Sequence, residues 1–259
     1  MAGLRIFDTD PDAKPKPRAS FAEDVVGRFR AGRMTGTGRS ARPESLSEWR
    51  VTTGDPAVAS RVAELLGGTA EEWDTESEDS LEILTDAASV EIVIDGANAV
   101  QSDMRLYGAV GGEPIHHCDG VEYLSPPEEK GNPCGCPELL ADRKALAKTG
   151  RGPKPDIRVL FKLTDAPDLG LFRFRSGAWD LAKVLHEVLE ALDTVGGPAR
   201  CRLSIELVEF VAKSGPMKGK TVSYNKPVIK VLGAYNAKRE DADREFAAKR
   251  RLSELADAA

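Results

Sequence analysis

The chain has 259 residues, 41% of them hydrophobic and 30% charged, and its formal net charge is −6. This composition is that of a globular protein with an ordinary core, and the negative charge disfavours non-specific binding to DNA phosphates. No stretch of about eighteen apolar residues that could span a membrane is present, and residues 1–30 lack the apolar core of a signal peptide. Three of the four cysteines are clustered, which is typical of a reducing compartment, so we expect the protein in the cytoplasm.

The beginning of the chain is predicted as an extended arm over residues 1–43. Arg, Lys, Gly, Pro and Ser dominate this stretch, and large apolar residues are few. Within it, residues 21–29 could form a short helix. An α+β core is predicted over 44–233, and a charged C-terminal helix is predicted over 234–259.

The core is predicted to begin with a strand at 46–53 and a helix at 56–66. Asp55 is the predicted N-cap of this helix, proline occupies its first position, and Gly67 ends it. The acidic stretch 71–82 that follows is predicted as a solvated loop, although it could also bind a basic partner.

The remaining apolar runs predict most of a sheet. Strands are predicted at 81–84, 90–94, 104–107, 115–118, 157–163, 171–175, 202–212 and 221–232. The first two of these are predicted to be neighbours, and the last two to form a long hairpin. Helices are predicted at 138–148 and 179–192. The fold class is therefore α+β, with a sheet-dominated mixed or antiparallel core, flanking helices and a small structural zinc-binding insertion at about 113–150.

Histidine and cysteine are concentrated in that insertion. Zinc prefers four imidazole or thiolate donors in a tetrahedron. Residues two apart on a strand share a face, and Gly135 allows a tight backbone between the last two cysteines. The predicted ligands are His116, Cys118, Cys134 and Cys136. His117 is the substitute for His116, and free thiols in a polar loop are the alternative interpretation.

A site with four protein donors has no open position for a catalytic water, so we expect a structural role. The sequence has no Gly-rich phosphate loop, nucleophile elbow or zinc-hydrolase helix motif. The protein is therefore not expected to be an enzyme. The remaining cysteine, Cys201, begins a predicted strand and is expected to be a small buried residue.

Two further patterns suggest contact surfaces. Phe172 and Phe174 alternate with two arginines, which is typical either of a surface that stacks single-stranded nucleic acid or of a strand with one buried face. The basic turn of the long hairpin is predicted to contact a partner through Lys213, Lys218 and Lys220.

Several blocks in fixed order resemble a known family. They are RIFDTDPDAKPK, WRVTTGDPAVASRVAELLGG, EEWDTESED, CDGVEYLS, NPCGCPELLADRKALAKTGRGPKPDIRVLFKL, FRFRSGAWDL and KGKTVSYNKPVIKV. Together they resemble the actinophage recombination directionality factors that act with large serine integrases. The resemblance runs from about Arg5 to Leu232 and leaves only the predicted C-terminal helix uncovered.

The resemblance implies a regulator without chemistry of its own, in the cytoplasm of a bacterial host cell. Such a factor binds a large serine integrase on attachment-site DNA, promotes excision between attL and attR, and inhibits integration between attP and attB. It acts by differential binding to two arrangements of the integrase. It needs little or no DNA binding alone, no membrane and no small-molecule substrate. The alternatives are a single-stranded DNA-binding or replication accessory protein and a metal-dependent hydrolase with an open coordination position.

Overall fold

The computed structural model describes residues 25–36, 41–73, 75, 78–108, 112–212 and 218–236. The first 24 residues of the predicted arm and residues 237–259 of the predicted C-terminal helix lie outside this part of the chain. Within the described residues, no helix is both long and apolar enough to cross a membrane.

A twelve-stranded sheet dominates the described residues. Its strands are β1 Val25–Thr35, β2 Arg42–Thr53, β3 Ala70–Glu72, β4 Leu81–Leu84, β5 Ser89–Asp95, β6 Val100–Tyr107, β7 Pro114–Cys118, β8 Tyr123–Ser125, β9 Lys154–Leu163, β10 Leu171–Ser176, β11 Pro198–Val211 and β12 Thr221–Ala234. Three α-helices accompany the sheet in the described part of the chain: α1 Pro56–Leu66, α2 Leu140–Lys148 and α3 Trp179–Val195.

The main path of the sheet runs β12-β11-β5-β9-β10-β1-β2-β4-β3. Strands β1 and β10 pair in parallel, and the other described pairs are antiparallel. A branch leaves this path at β9, which pairs with β6; β6 then pairs with β7, and β7 with β8. The predicted sheet-dominated mixed fold is confirmed.

Local chemistry sets the ends of the helices. The Asp55 side chain accepts a hydrogen bond from the backbone N–H of Ala57 at 2.8 Å, and proline follows at the first helical position of α1. Gly67 after α1 has a φ of 77°, and Gly196 after α3 has a φ of 68°. Side chains with a Cβ rarely adopt this region, so glycine ends both helices at low cost.

Five aromatic rings fill the centre of the core. Phe29 meets Trp49, Phe161 and Phe172 edge to face with centroid distances of 5.8, 5.2 and 5.6 Å, and Trp49 meets Phe174 at 5.3 Å. All five side chains are at most 1% exposed. Each such pair adds about 0.5–1.5 kcal/mol beyond the burial of its area. The apolar faces of α1 and α3 join the same cluster.

The predicted arm is wrong for residues 25–35 and for residues 42–43, which begin β2. The predicted short helix is wrong where it overlaps residues 25–35. Val25–Thr35 forms β1, a central strand between β10 and β2. Gly27 and Phe29 face the core, whereas Arg28 and Arg30 lie on the other face. This alternation of buried and exposed side chains is that of a strand. The small and basic residues of β1, however, are typical of an extended arm.

The predicted pairing of 81–84 with 90–94 is also wrong. β4 pairs with β2 and β3, whereas β5 pairs with β11 and β9. The connection between them hydrogen-bonds to β2 and to β11, which lie in opposite halves of the sheet: Ala87 O accepts from Trp49 N at 2.9 Å, and Ala88 O accepts from Ile205 N at 2.8 Å. The sheet therefore curls, so that β11 and β12 contact β2.

The branch of the sheet stands apart from this core. Among the described residues, none between Val100 and Ile157 belongs to the core cluster or packs against it as a partly buried hydrophobic residue. That stretch contains most of β6 together with β7, β8 and α2. Other interactions must therefore hold the branch in its conformation.

Candidate metal centre

Strand β7 supplies the first half of the site. It pairs with β6 so that Leu106 lies opposite His116 and Met104 opposite Cys118. Because successive side chains on a strand alternate between faces, His116 and Cys118 project to the same side. Their Nε2 and Sγ atoms are 3.2 Å apart.

The second half of the site comes from the loop after β8. The backbone N–H of Cys134 donates to Val121 O at 2.8 Å, and that of Tyr123 donates to Asn132 O at 2.9 Å. Gly135 has a φ of 69°, which favours glycine. These contacts turn the chain back on itself and bring Cys134 and Cys136 against β7.

The four side chains converge on one point. The ligand atoms of His116, Cys118, Cys134 and Cys136 all lie within 4.8 Å of one another. The Sγ atoms of Cys118 and Cys136 are 3.8 Å apart, and His116 Nε2 lies 3.4 Å from Cys136 Sγ. Tetrahedral zinc bonds of about 2.3 Å to sulphur and about 2.05 Å to nitrogen give edges of about 3.8 and 3.6 Å. The cluster therefore has dimensions that fit a metal ion.

The environment of the cluster favours a bound cation. Cys118 is fully buried and Cys134 is 5% exposed. Burial raises the pKa of the Cys118 thiol, and the neighbouring Cys136 and Cys134 raise it further. Burial also raises the pKa of Cys136 and lowers that of His116, which favours the neutral imidazole. A cation among these donors stabilises the thiolates that burial disfavours.

His117 has other partners. Its Nδ1 lies 2.9 Å from Ser125 Oγ, and its Nε2 lies 3.0 Å from Asp103 Oδ2. Asp103 also accepts two hydrogen bonds from Arg105, at 2.8 and 2.6 Å. The structure thus places His116 with the cysteines and points the substitute, His117, to the opposite side of β7.

Two supporting side chains were not anticipated from the sequence. The Tyr123 ring packs on the His116 imidazole with a centroid distance of 4.8 Å. From α2, Arg143 Nη2 donates to Gly120 O at 2.7 Å and so ties the helix to the loop. Arg143 and Gly120 are far apart in the sequence, and no local pattern signals such a contact.

The other singled-out residues lie away from the cluster. Cys201 is fully buried, and burial raises the pKa of its thiol to about 12, as expected for an inert core residue. Lys218 and Lys220 are exposed where β11 and β12 join, and Lys213 lies outside the described residues. Phe172 and Phe174 are at most 1% exposed, which excludes the stacking of bases on these rings and confirms the other interpretation, a strand with one buried face.

A comparison with known protein families identifies the family of this chain. The model of the Gp3-like family, described as recombination directionality factor-like, matches residues 26–231. The chain belongs to this family. The match begins in β1, ends in β12 and includes all four residues of the histidine–cysteine cluster. No solved structure gives a significant match. Membership indicates a function connected with recombination.

Proposed function

We propose that this protein is a recombination directionality factor for a phage-type large serine integrase. It binds the integrase on attachment-site DNA, promotes recombination of attL with attR, and inhibits recombination of attP with attB. The observation that carries this proposal is the family match, which spans residues 26–231. We place this activity in the cytoplasm of a bacterial host cell.

Such control is an allosteric effect that follows from unequal affinity. The factor can shift the integrase between two arrangements only by as much as its binding free energies for them differ. Coupling free energies of this kind are about 1–3 kcal/mol, which corresponds to about 5- to 150-fold. No chemical step on the part of the factor is needed, so we propose that it is not an enzyme.

Zinc is the metal that the cluster fits best, and we propose a structural role for it. One histidine and three cysteines form a donor set typical of structural zinc sites. Four protein donors complete a tetrahedron and leave no position for a reactive water, which argues against the metal-dependent hydrolase. Zinc there would link β7 to the loop that carries Cys134 and Cys136.

We propose little or no binding to DNA without integrase. The net charge of −6 supports this, because phosphate binding depends on clustered positive charge. The alternative of single-stranded DNA binding relied on base stacking by Phe172 and Phe174, and it is disfavoured because both rings are buried in the core. The exposed Lys218 and Lys220 support the hairpin turn as one contact with the integrase.

The proposal is tested in a recombination assay with the integrase of the same genetic element. Reactions with and without this protein are scored on both site pairs, and gel shifts on attachment-site DNA accompany them. We expect more attL × attR product, less attP × attB product, and a shift with this protein only when integrase is present. Tight binding of the protein alone to the duplex would contradict the proposal.

A further inference from the structure

One face of the central sheet is rich in arginine. The strands that send Phe29, Phe172 and Phe174 into the core place arginines on the opposite face. These arginines are Arg28, Arg30, Arg50, Arg173 and Arg175, with Arg33 near the end of β1. The alternation follows from the period of two in a strand.

Strand register places some of these like charges side by side. Arg30 lies directly opposite Arg50 on β2, and Arg28 lies beside Arg173 on β10. Like charges in such positions are destabilising. Burial lowers the pKa of Arg30, and the charges of Arg50, Arg28 and Arg173 lower it further, whereas the charge of Asp79 raises it. Such a concentration of positive charge needs carboxylates as partners.

Carboxylates from the same chain already pair with this face. Asp79 is 9% exposed at its side chain and is shared by Arg28, in close contact, and by Arg30 at 4.0 Å. Thr52 Oγ1 accepts from Arg30 Nε and donates to Asp79, each at 3.1 Å. The predicted solvated loop at 71–82 is therefore wrong for Asp79, and it is also wrong for residues 71–72, which lie in β3. The contacts of Asp79 show that these arginines hold a carboxylate.

The arginines lie along a cavity of about 990 Å³. Among the described residues, its lining includes six arginines and two glutamates, Glu44 and Glu82. Small-molecule sites are about 300–1,000 Å³, so this cavity can take several side chains of a polypeptide. Its rim is partly apolar, with Pro43, Pro227 and Met34, which is 61% exposed.

A carboxylate-bearing polypeptide suits this cavity better than a nucleic acid. Glu44 and Glu82 interrupt the arginines of the lining, whereas binding along a phosphate backbone depends on many adjacent cations. Stacking of bases needs open aromatic faces, but the Trp73 ring is covered by Arg50, whose guanidinium carbon lies 4.3 Å from the ring centroid. In a polypeptide that alternates acidic and apolar residues, the carboxylates can pair with the arginines and the apolar side chains can pack on the rim.

We propose that this arginine-lined groove is the docking site for an acidic segment of a protein partner. Carboxylates of the segment pair with Arg30 and Arg33, and its apolar side chains pack on Met34 and Pro43. The inference rests on the charges and shape of the groove, and it does not depend on the partner being an integrase.

Fluorescence anisotropy on the full chain tests this inference. The probe is a labelled peptide that alternates aspartate and leucine, and its asparagine–leucine counterpart and labelled oligothymidylate are the comparison probes. We expect the acidic peptide to bind, and Arg30→Glu to weaken binding by about tenfold or more, as expected for loss of a charged hydrogen-bonding partner. The asparagine peptide and oligothymidylate should bind at least about tenfold more weakly than the acidic peptide.

Two further variants separate binding from folding. Arg33→Glu replaces an exposed ion pair with Glu44 by two like charges. It should also weaken binding, and it should lower the melting temperature only slightly. Arg61→Glu makes the same charge change on α1, outside the groove lining, and should alter binding by less than about twofold. The inference is overturned if the wild type does not bind the acidic peptide or if Arg33→Glu behaves like Arg61→Glu. Preference for oligothymidylate would assign the groove to nucleic acid instead.

Discussion

Removing metal from the His116/Cys118/Cys134/Cys136 cluster should unfold the segment from β7 to α2 and leave the core intact, with β6 still paired to β9. The segment from β7 to α2 has few apolar contacts that could stabilise it otherwise. Among the described residues of α2, only Ala147 is buried, and Ile115, Val121 and Leu139 are 70%, 69% and 67% exposed. None of the described residues between Val100 and Ile157 belongs to the core cluster.

The expected magnitude is large. Structural zinc contributes about 10–16 kcal/mol to small zinc modules, whereas a whole domain is stable by about 5–15 kcal/mol. Even about 4 kcal/mol corresponds to about a thousandfold change in an opening equilibrium. Hydrogen exchange of the amides of Tyr123 and Cys134, which close the loop, should therefore accelerate by at least about a thousandfold after chelation.

Hydrogen exchange with mass spectrometry, read beside metal content, measures this effect. Strands β9 and β10 should keep their protection when the metal is removed. Cys118→Ser should reproduce the effect of chelation, whereas Cys201→Ala, at a buried cysteine outside the cluster, should retain the metal. The reasoning is refuted if metal-free protein protects Tyr123 and Cys134 as well as the metal-bound form does, or if β9 and β10 lose protection equally.

Three further predictions concern the fold. Phe172→Ala should lower the free energy of unfolding by about 3–5 kcal/mol in urea titrations, because its ring is fully buried; a loss below about 1 kcal/mol would contradict the aromatic core. Asp55→Ala should cost about 1 kcal/mol through loss of the N-cap of α1, and unchanged stability would count against that cap. Burial opposes ionisation of Asp156, but hydrogen bonds from Arg175 and Arg158 outweigh it and lower the pKa of Asp156. The stability that ionised Asp156 contributes is therefore fully present above about pH 3.9, the pKa of aspartate in an unfolded chain. This stability is lost as the pH falls through the pKa of Asp156 in the folded protein. Asp156→Asn should flatten the acid side of the stability curve, and an unchanged slope would refute this.

Local signals in the sequence were sufficient for much of the fold. Asp55, Pro56 and Gly67 mark the two ends of α1 by capping chemistry alone, and the structure has the same helix. The long hairpin of β11 and β12 follows from its alternating pattern and turn residues. In each case the deciding interactions lie between residues close in the chain.

Long-range features were not accessible from local patterns. Strand β1 is stabilised by neighbours that follow it by many residues, Phe172 on β10 and Val51 on β2, so its Gly- and Arg-rich composition was misleading. The separation of β4 from β5 depends on the curl of the whole sheet. Pairing between strands distant in sequence leaves little trace in one sequence.

The four residues of the histidine–cysteine cluster could be predicted from the sequence, but the residues that surround them could not. The spacing of His116 and Cys118 on a strand brings the two donors together by geometry. The separation of His117 from the cluster follows from Asp103 and Ser125, one on β6 and the other on β8. Only the folded branch shows that pairing.

The recombination assay tests the central claim most directly. The integrase of the same genetic element is assayed on attL × attR and on attP × attB, with and without this protein, at matched concentrations. The proposed function predicts that the protein raises the first reaction and lowers the second, by about 5- to 150-fold if the coupling is of ordinary size. The proposed function would be contradicted if the protein binds the integrase but leaves the rate of recombination unchanged on each of the two site pairs.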